Sequence, residues 1–301
     1  MMKNSITTAT LTVLSAVVLS FGACKETELP VPSTTPPAPT GSQQTPVPGT
    51  ADPSDSGKPP VGHTPEIPSV PGQLRRITWA PLDFKEFAYN DAGRLVGYNR
   101  QYNSVQGTDI VRRDEYTYAY DAGGKLTRLT GKDGLRTAYT YQGDVWSEAL
   151  TLDKLGRPLK KYRFEFNAAK QLTAYDEYAV GLEGNVTPRS KTTFAYDAAG
   201  NLTRYIQSWY VESSGSFVRS IDLKFSNFDN RKYPKNADSF DPILQPLTFF
   251  VNNPGRKEFI GGYSPVELYG YTYDAYGYPV SRRTSYIYDK PIPAVEAVFA
   301  Y

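Results

Sequence analysis

The chain has 301 residues, with 33 Lys and Arg against 31 Asp and Glu and a formal net charge of +2. That balance implies no polyanion partner, and basic and acidic residues alternate as on solvated faces rather than forming a nucleic-acid groove. A single Cys rules out a disulfide within the chain. The single His argues against Ser-His-Asp and Cys-His catalysis and rules out zinc sites built on His and Cys.

Residues 1–23 have the form of a signal peptide, with Lys3 in a short basic region and a mostly apolar run from Leu11 to Phe21. The run is too short to span a bilayer as a mature helix. It ends in Phe21-Gly22-Ala23-Cys24, and small residues before the only cysteine match a bacterial lipoprotein cleavage site. Cys24 is then the acylated mature N-terminus, and the membrane is a partner through that lipid anchor. The competing reading is a plain secretory peptide with an incidental cysteine.

Residues 24–72 form a linker crowded with Pro, Thr, Ser and Gly, and His63 lies in it. So few large apolar residues cannot offset ordering entropy, and the prolines bias the segment toward an extended, semi-rigid stalk.

Residues 73–301 are expected to form one all-β domain. The pattern aromatic-Asp/Asn-x-x-Gly-x-Leu/Pro occurs at Tyr89–Leu95, Tyr120–Leu126, Tyr196–Leu202 and Tyr273–Pro279, with weaker copies at Leu152–Pro158 and Phe166–Leu172. Each reads as a strand end, a tight turn and a strand start. The Asp or Asn is expected to accept a bond from a backbone N–H two residues on, and Gly to supply positive φ. Aromatics alternate within the strands, as in Tyr116-x-Tyr118-x-Tyr120 and Tyr269-x-Tyr271-x-Tyr273, which places each set on one face as a cross-strand ladder with hydroxyls kept wet. The copies begin at unequal intervals, so a strict solenoid is not expected. Apolar residues on both faces of the segment after Gly200, with Leu202 and Ile206 on one and Tyr205, Trp209 and Val211 on the other, point to a rolled or two-layered sheet. The fold expected is an antiparallel meander of β-hairpins.

The grammar breaks from Asn227 to Pro265, and a short helical or irregular insert is expected near 228–262, with Asp241 as N-cap and Pro242 in the first turn. Two readings compete. The insert is a plug over an open end of the sheet, or it lines a ligand site. For the second, the candidate binding residues are Arg231, Tyr233, Asn252, Asn253 and Arg256 in the insert, with Tyr269 and Tyr271 as a neighbouring wall. Trp146 and Trp209 are further candidates for stacking platforms, against core packing. Asn236, Asp238 and Asp241 lack the spacing of a known Ca²⁺ loop, so no metal or other cofactor is expected. There is no Walker A loop and no dinucleotide fingerprint.

The Tyr-Asp-x-x-Gly-x-Leu units resemble the YD repeats of the RHS and teneurin families. With the lipoprotein signal, the stalk and the Phe-Asp-Asn…Asn-Asn-Pro segment before the last hairpin, the chain is similar to YD-repeat-like lipoproteins of Bacteroidetes. Lys25-Glu26-Thr27-Glu28 resembles the charged tag of their surface-exposed members. The resemblance implies a β-hairpin fold and an exported, outer-membrane-anchored, surface-exposed setting, with no catalytic residues to transfer. Too few repeats are present to enclose a cargo domain. The function expected is a non-catalytic surface binding or scaffold module for a glycan or an envelope protein. The alternatives are a purely structural envelope component and a carboxylate-dependent glycoside hydrolase.

Overall fold

A computed structural model of the chain describes residues 72–103, 110–237, 240–262 and 264–301, all within the unit Ile67–Tyr301. The expected signal peptide, Cys24, His63, Asp238 and all of the linker but Gly72 lie outside the described residues.

Sixteen strands are found among the described residues. β1 (Arg76–Ala80), β2 (Asp83–Tyr89), β3 (Leu95–Asn103) and β4 (Val111–Tyr120) come first. β5 (Leu126–Gly131), β6 (Arg136–Gln142), β7 (Val145–Leu152) and β8 (Pro158–Phe166) follow, then β9 (Leu172–Val180), β10 (Val186–Tyr196), β11 (Leu202–Val211) and β12 (Ser216–Ser226). After a 3-10 turn at Pro242–Leu244 come β13 (Arg256–Phe259), β14 (Val266–Tyr273), β15 (Pro279–Ile287) and β16 (Val295–Ala300). Every strand pairs antiparallel with its sequence neighbours. β1 also pairs with β16 from Arg76↔Ala300 to Thr78↔Val298, so the meander closes into a barrel. The sheet is rolled rather than two-layered. Trp209, expected on a covered face of β11, is 48% exposed, opposite Ser190 near the end of the strand.

The repeated motif makes the same turn each time. Asn90, Asp121, Asp153, Asn167, Asp197 and Asp274 each accept, through Oδ1, the backbone N–H four residues on, at 2.8–2.9 Å. The bond to the residue two positions on, expected from the sequence, accompanies it at Asp153, Asp197 and Asp274. Gly124, Gly200 and Gly277 stand at φ +83°, +91° and +84°, as a bulged hairpin turn requires.

The strand-end tyrosines are not wet. Tyr120 donates its hydroxyl to the Leu95 carbonyl at 2.8 Å, Tyr141 to Leu126 at 3.0 Å, Tyr196 to Leu172 at 2.9 Å and Tyr301 to Pro279 at 2.9 Å. Each hydroxyl thus clamps a carbonyl at or beside the start of a strand in the preceding hairpin. Burial pushes the Tyr120 phenol up to about 12, so the donor keeps its proton. At these strand ends the bond gives Tyr a role that Phe could not fill.

From β7 to β11 the wall carries aromatic rings on its inner face and ion pairs on its outer face. Rings run along the inner face through Trp146 and Phe164 (5.6 Å), Phe164 and Tyr175 (6.2 Å), Tyr175 and Phe194 (6.2 Å) and Phe194 and Tyr205 (5.5 Å). Outward positions on these strands and on β12 hold ion pairs: Lys161 and Arg163 with Glu148, Lys191 with Asp176, and Arg204 and Arg219 with Asp222. The bond from Arg204 holds the Asp222 carboxyl below the usual range.

Sixteen strands enclose more space than their own side chains fill. The insert between β12 and β13 occupies that space. Phe240 stacks on Tyr205 at 4.8 Å, Phe249 on Phe194 at 5.3 Å, and Phe250 meets Phe225 edge-on at 5.1 Å. Asp241 caps the 3-10 turn by accepting from Ile243 N at 3.0 Å. Tyr118 and Tyr139 of the wall donate to the carbonyls of Pro242 and Ile243, both at 3.0 Å.

Candidate functional site

Between the insert and the arc of wall from β12 through β16 to β2 lies a cavity of about 310 Å³. Insert residues Tyr233, Pro234, Ala237, Phe240, Phe250, Asn253 and Pro254 form one side. The wall contributes Trp79, Tyr269 and Tyr271 together with Lys85, Lys257, Glu267 and Arg282.

Strand alternation puts these charges inside. Lys257 and Glu267 are cross-strand partners on β13 and β14, and their side chains meet at 2.7 Å while remaining 22% and 19% exposed. Tyr269 donates its hydroxyl to the other Glu267 oxygen. Burial first, and the Glu267 charge second, push the Tyr269 phenol up, so it remains a donor. The Arg282 guanidinium lies 4.8 Å above the Tyr269 ring. Tyr271 donates to the Pro254 carbonyl at 3.0 Å and ties insert to wall. Across the cavity, Lys85 donates to the Ala237 carbonyl at 3.5 Å and lies 5.6 Å from the Trp79 ring centroid.

Of the seven residues singled out by sequence, Tyr233, Asn253, Tyr269 and Tyr271 share this cavity. Arg231, Asn252 and Arg256 are not in its lining. Arg231 is exposed beside Tyr273, with its ring 5.7 Å away. Asn252 donates to the Arg231 carbonyl at 3.1 Å and accepts from Asn201 at 3.2 Å. Arg256 bonds to Glu258 at 2.6 Å and, one position from the inward Lys257, faces the outer wall.

The polar insert residues have a scaffolding role that sequence reasoning did not assign. Asp229 accepts from the Asn253 backbone at 3.1 Å and from its amide, and Tyr273 donates to the same carboxylate. Asn201 in the β10–β11 turn accepts from Val251 N at 2.9 Å and Asn252 N at 2.7 Å. These bonds fasten both ends of the plug.

Lys85, Lys257, Glu267 and Arg282 were missed, although the signal was legible. Glu267 is in phase with Tyr269 and Tyr271, and Lys85 with Phe87 and Tyr89, so both charges fall on the ringed, inward face.

Trp146 is buried against Tyr139 and Phe164 and is a core residue. It also borders a second cavity of about 280 Å³ beside Tyr120, Tyr141, Lys125 and Leu247. Asn236 bonds to the Tyr89 hydroxyl at 3.2 Å, and no group of three or more His, Cys, Asp or Glu that could hold a metal occurs among the described residues.

No protein-family model and no curated protein matches the chain. Two crystal structures are similar in fold. One is a porin-like protein from Bacteroides uniformis, with TM-score 0.52 at 15% identity, covering 75% of this chain and 97% of that one. The other is a porin-like protein from Bacteroides vulgatus, with TM-score 0.50 at 12% identity, covering 76% and 98%. At such identities the likeness establishes the fold alone.

Proposed function

We propose that this chain is an exported, YD-repeat-like lipoprotein of the Bacteroidetes envelope whose plugged barrel is a non-catalytic binding or scaffold module. The observation that carries this reading is the polarity of the barrel. A wall that spans a bilayer presents an apolar band to lipid. Here the outward face holds ion pairs and the inward face holds rings and the insert. Such a domain stands in water, and lipids on Cys24 would hold it at the outer membrane.

The cavity of about 310 Å³ favours a binding role over a purely structural one, because a sealed scaffold has no need of inward-facing charges. A glycan or an envelope protein is the partner expected.

Anchoring is tested by Cys24→Ala in the native host. The variant should leave the membrane fraction, or accumulate as a precursor that takes up no labelled fatty acid. Acylation and partitioning like wild type would overturn the lipoprotein reading. Binding is tested by a glycan array and a pull-down from envelope extract, with the purified full chain as bait.

A further inference from the structure

The second cavity, of about 280 Å³, shares no lining residue with the first. It lies at the turn end of the barrel, where Pro246 and Leu247 of the insert approach the wall from β4 to β8. Its floor is aromatic. Trp146 and Phe166 meet edge-on at 6.5 Å, and Tyr120 and Tyr141 line the cavity with them. The polar atoms of these rings are committed within the chain. Trp146 Nε1 donates to the Tyr141 hydroxyl at 2.9 Å, that hydroxyl donates to the Leu126 carbonyl at 3.0 Å, and Tyr120 donates to the Leu95 carbonyl at 2.8 Å. The floor therefore offers a ligand ring carbon rather than hydrogen bonds.

The rim is its opposite. Lys170 and Asp144, 64% and 70% exposed, pair at 2.9 Å, so the cavity opens to solvent between charged groups. Lys125 donates to the Gly143 carbonyl at 2.7 Å and lies 5.0 Å from the Tyr141 ring centroid. An ammonium donates in several directions and a carboxylate accepts in several, so one such bond leaves each group able to meet a ligand. Donors and an acceptor thus stand together over carbon. A neutral polyol uses both, whereas an anion would face Asp144 and a hydrocarbon would use neither.

A pyranose divides its surface in the same way. Its faces carry C–H groups, slightly positive toward the negative face of an aromatic ring, and its edge carries hydroxyls. The volume falls just below the range of about 300–1,000 Å³ that small-molecule sites span, which leaves room for a single ring.

We propose that this cavity binds one neutral pyranose residue of a glycan. Tyr141 and Phe166, both half-buried, receive its C–H face with Trp146 beside them, and Lys125, Lys170 and Asp144 meet its edge hydroxyls. This deepens the binding-module reading above and rests on it.

The test is calorimetric titration of the full chain in a sugar-free detergent. The probes are the methyl glycosides of glucose, galactose, mannose and N-acetylglucosamine, set against sorbitol, an open-chain polyol with no ring face. At least one glycoside should bind roughly tenfold or more tightly than sorbitol. Asp144→Ala and Lys170→Ala, both at exposed positions, should each weaken that glycoside by roughly tenfold, with the melting temperature unchanged. Leu247→Trp, which places an indole in the cavity, should abolish binding. In a chain carrying Trp79→Phe and Trp209→Phe, the glycoside should shift the emission of Trp146, the remaining tryptophan.

Glycosides bound no better than sorbitol would overturn the ring-face site and leave the binding module standing. Glycoside binding that survives Leu247→Trp and leaves Trp146 emission unmoved would overturn the placement. Failure of every glycoside beside a positive array or pull-down would overturn the proposal alone. Failure of every probe, array and pull-down together would overturn the binding reading as well.

Discussion

The wall of the barrel and the insert inside it are built by different rules. In the wall, one set of local bonds recurs, complete at Tyr120 and Tyr196: an Asx oxygen over the turn, a glycine at positive φ, and a tyrosine hydroxyl on the carbonyl of the preceding hairpin. The insert, besides its own local turns, is held by bonds that reach across the chain. Tyr118 and Tyr139 hold the 3-10 turn from more than 100 residues away, and Asn201 holds Val251 and Asn252 from about 50. Repetition makes the wall redundant, so one weakened hairpin leaves its neighbours intact. The insert has no second copy of any of its contacts, and stability should depend on it more steeply.

Removing a ring from each region is the most severe test of that contrast. Phe250 is 2% exposed and packs against Phe225 at 5.1 Å and Tyr233 at 5.2 Å. Phe250→Ala should cost about 3–5 kcal/mol in urea unfolding, as transfer and cavity costs add. Trp209→Ala, at a 48% exposed position near the end of β11, should stay within about 1 kcal/mol. Equal losses would mean that the insert is no more critical than the wall.

Anchoring bonds sharpen the comparison further. Asn201 occupies the position between the turn glycine and the following Leu, which in another copy is Arg157, 57% exposed. Asn201→Ala orphans the N–H groups of Val251 and Asn252, at about 1–3 kcal/mol for each buried donor. Arg157→Ala should fall within about 1 kcal/mol, the scale of an exposed ion pair. Amide exchange would separate the two as well. Asn201→Ala should expose amides of the insert before those of the wall, and uniform exchange would sink the idea that the plug is separately fastened.

These two residues also show where sequence reasoning stops. The wall was legible because its signals are local: six Asx-x-x-Gly/Lys turns and alternating rings determine hairpins, direction and inward face. Closure was not legible, since pairing of β1 with β16 joins segments at opposite ends of the domain and leaves no periodic trace. Nor was the burial of Asn201, because its repeat position is half-buried or exposed in the other copies. The insert was recognised by its broken pattern, and Asp241-Pro242 by its capping chemistry. Its polar residues were assigned to a ligand because their partners, Asp229, Asn201 and Tyr273, are fixed only by tertiary structure. Four of the seven candidates nevertheless share one cavity, because Tyr269 and Tyr271 lie in phase on the strand nearest the insert.

Turn glycines give a smaller effect with the same logic. At Gly156, φ is +82° and an added Cβ meets nothing within 4 Å, so Gly156→Ala should cost only the left-handed backbone strain, about 1–2 kcal/mol. At Gly200, φ is +91° and the added Cβ comes within 3.3 Å of Val251 in the insert. Gly200→Ala should therefore cost measurably more than Gly156→Ala. Equal values would show that turn and insert are not mechanically coupled.

Asp241 is expected to give the smallest effect and a pH dependence. Burial raises its carboxyl above the ordinary value of 3.8, with Glu177 adding to the rise and Lys160 opposing it. A folded-state pKa above the unfolded one means that the native protein holds the proton more tightly. That contribution is fully present below the unfolded value and is lost as pH rises through the folded value. At neutral pH the buried charge is therefore a net cost. Asn keeps an oxygen to accept from Ile243 N and carries no charge. Asp241→Asn should stabilise the protein near pH 7. The gain should shrink as pH falls and vanish below the unfolded carboxyl value, where Asp is neutral in both states. Urea midpoints for both proteins across that window read this directly. A gain that persists unchanged in acid would assign it to cap geometry rather than charge. Destabilisation at neutral pH would mean that the Asp241 carboxylate is held as an ion by Lys160, and that the insert contributes a charge to the lumen as well as its rings.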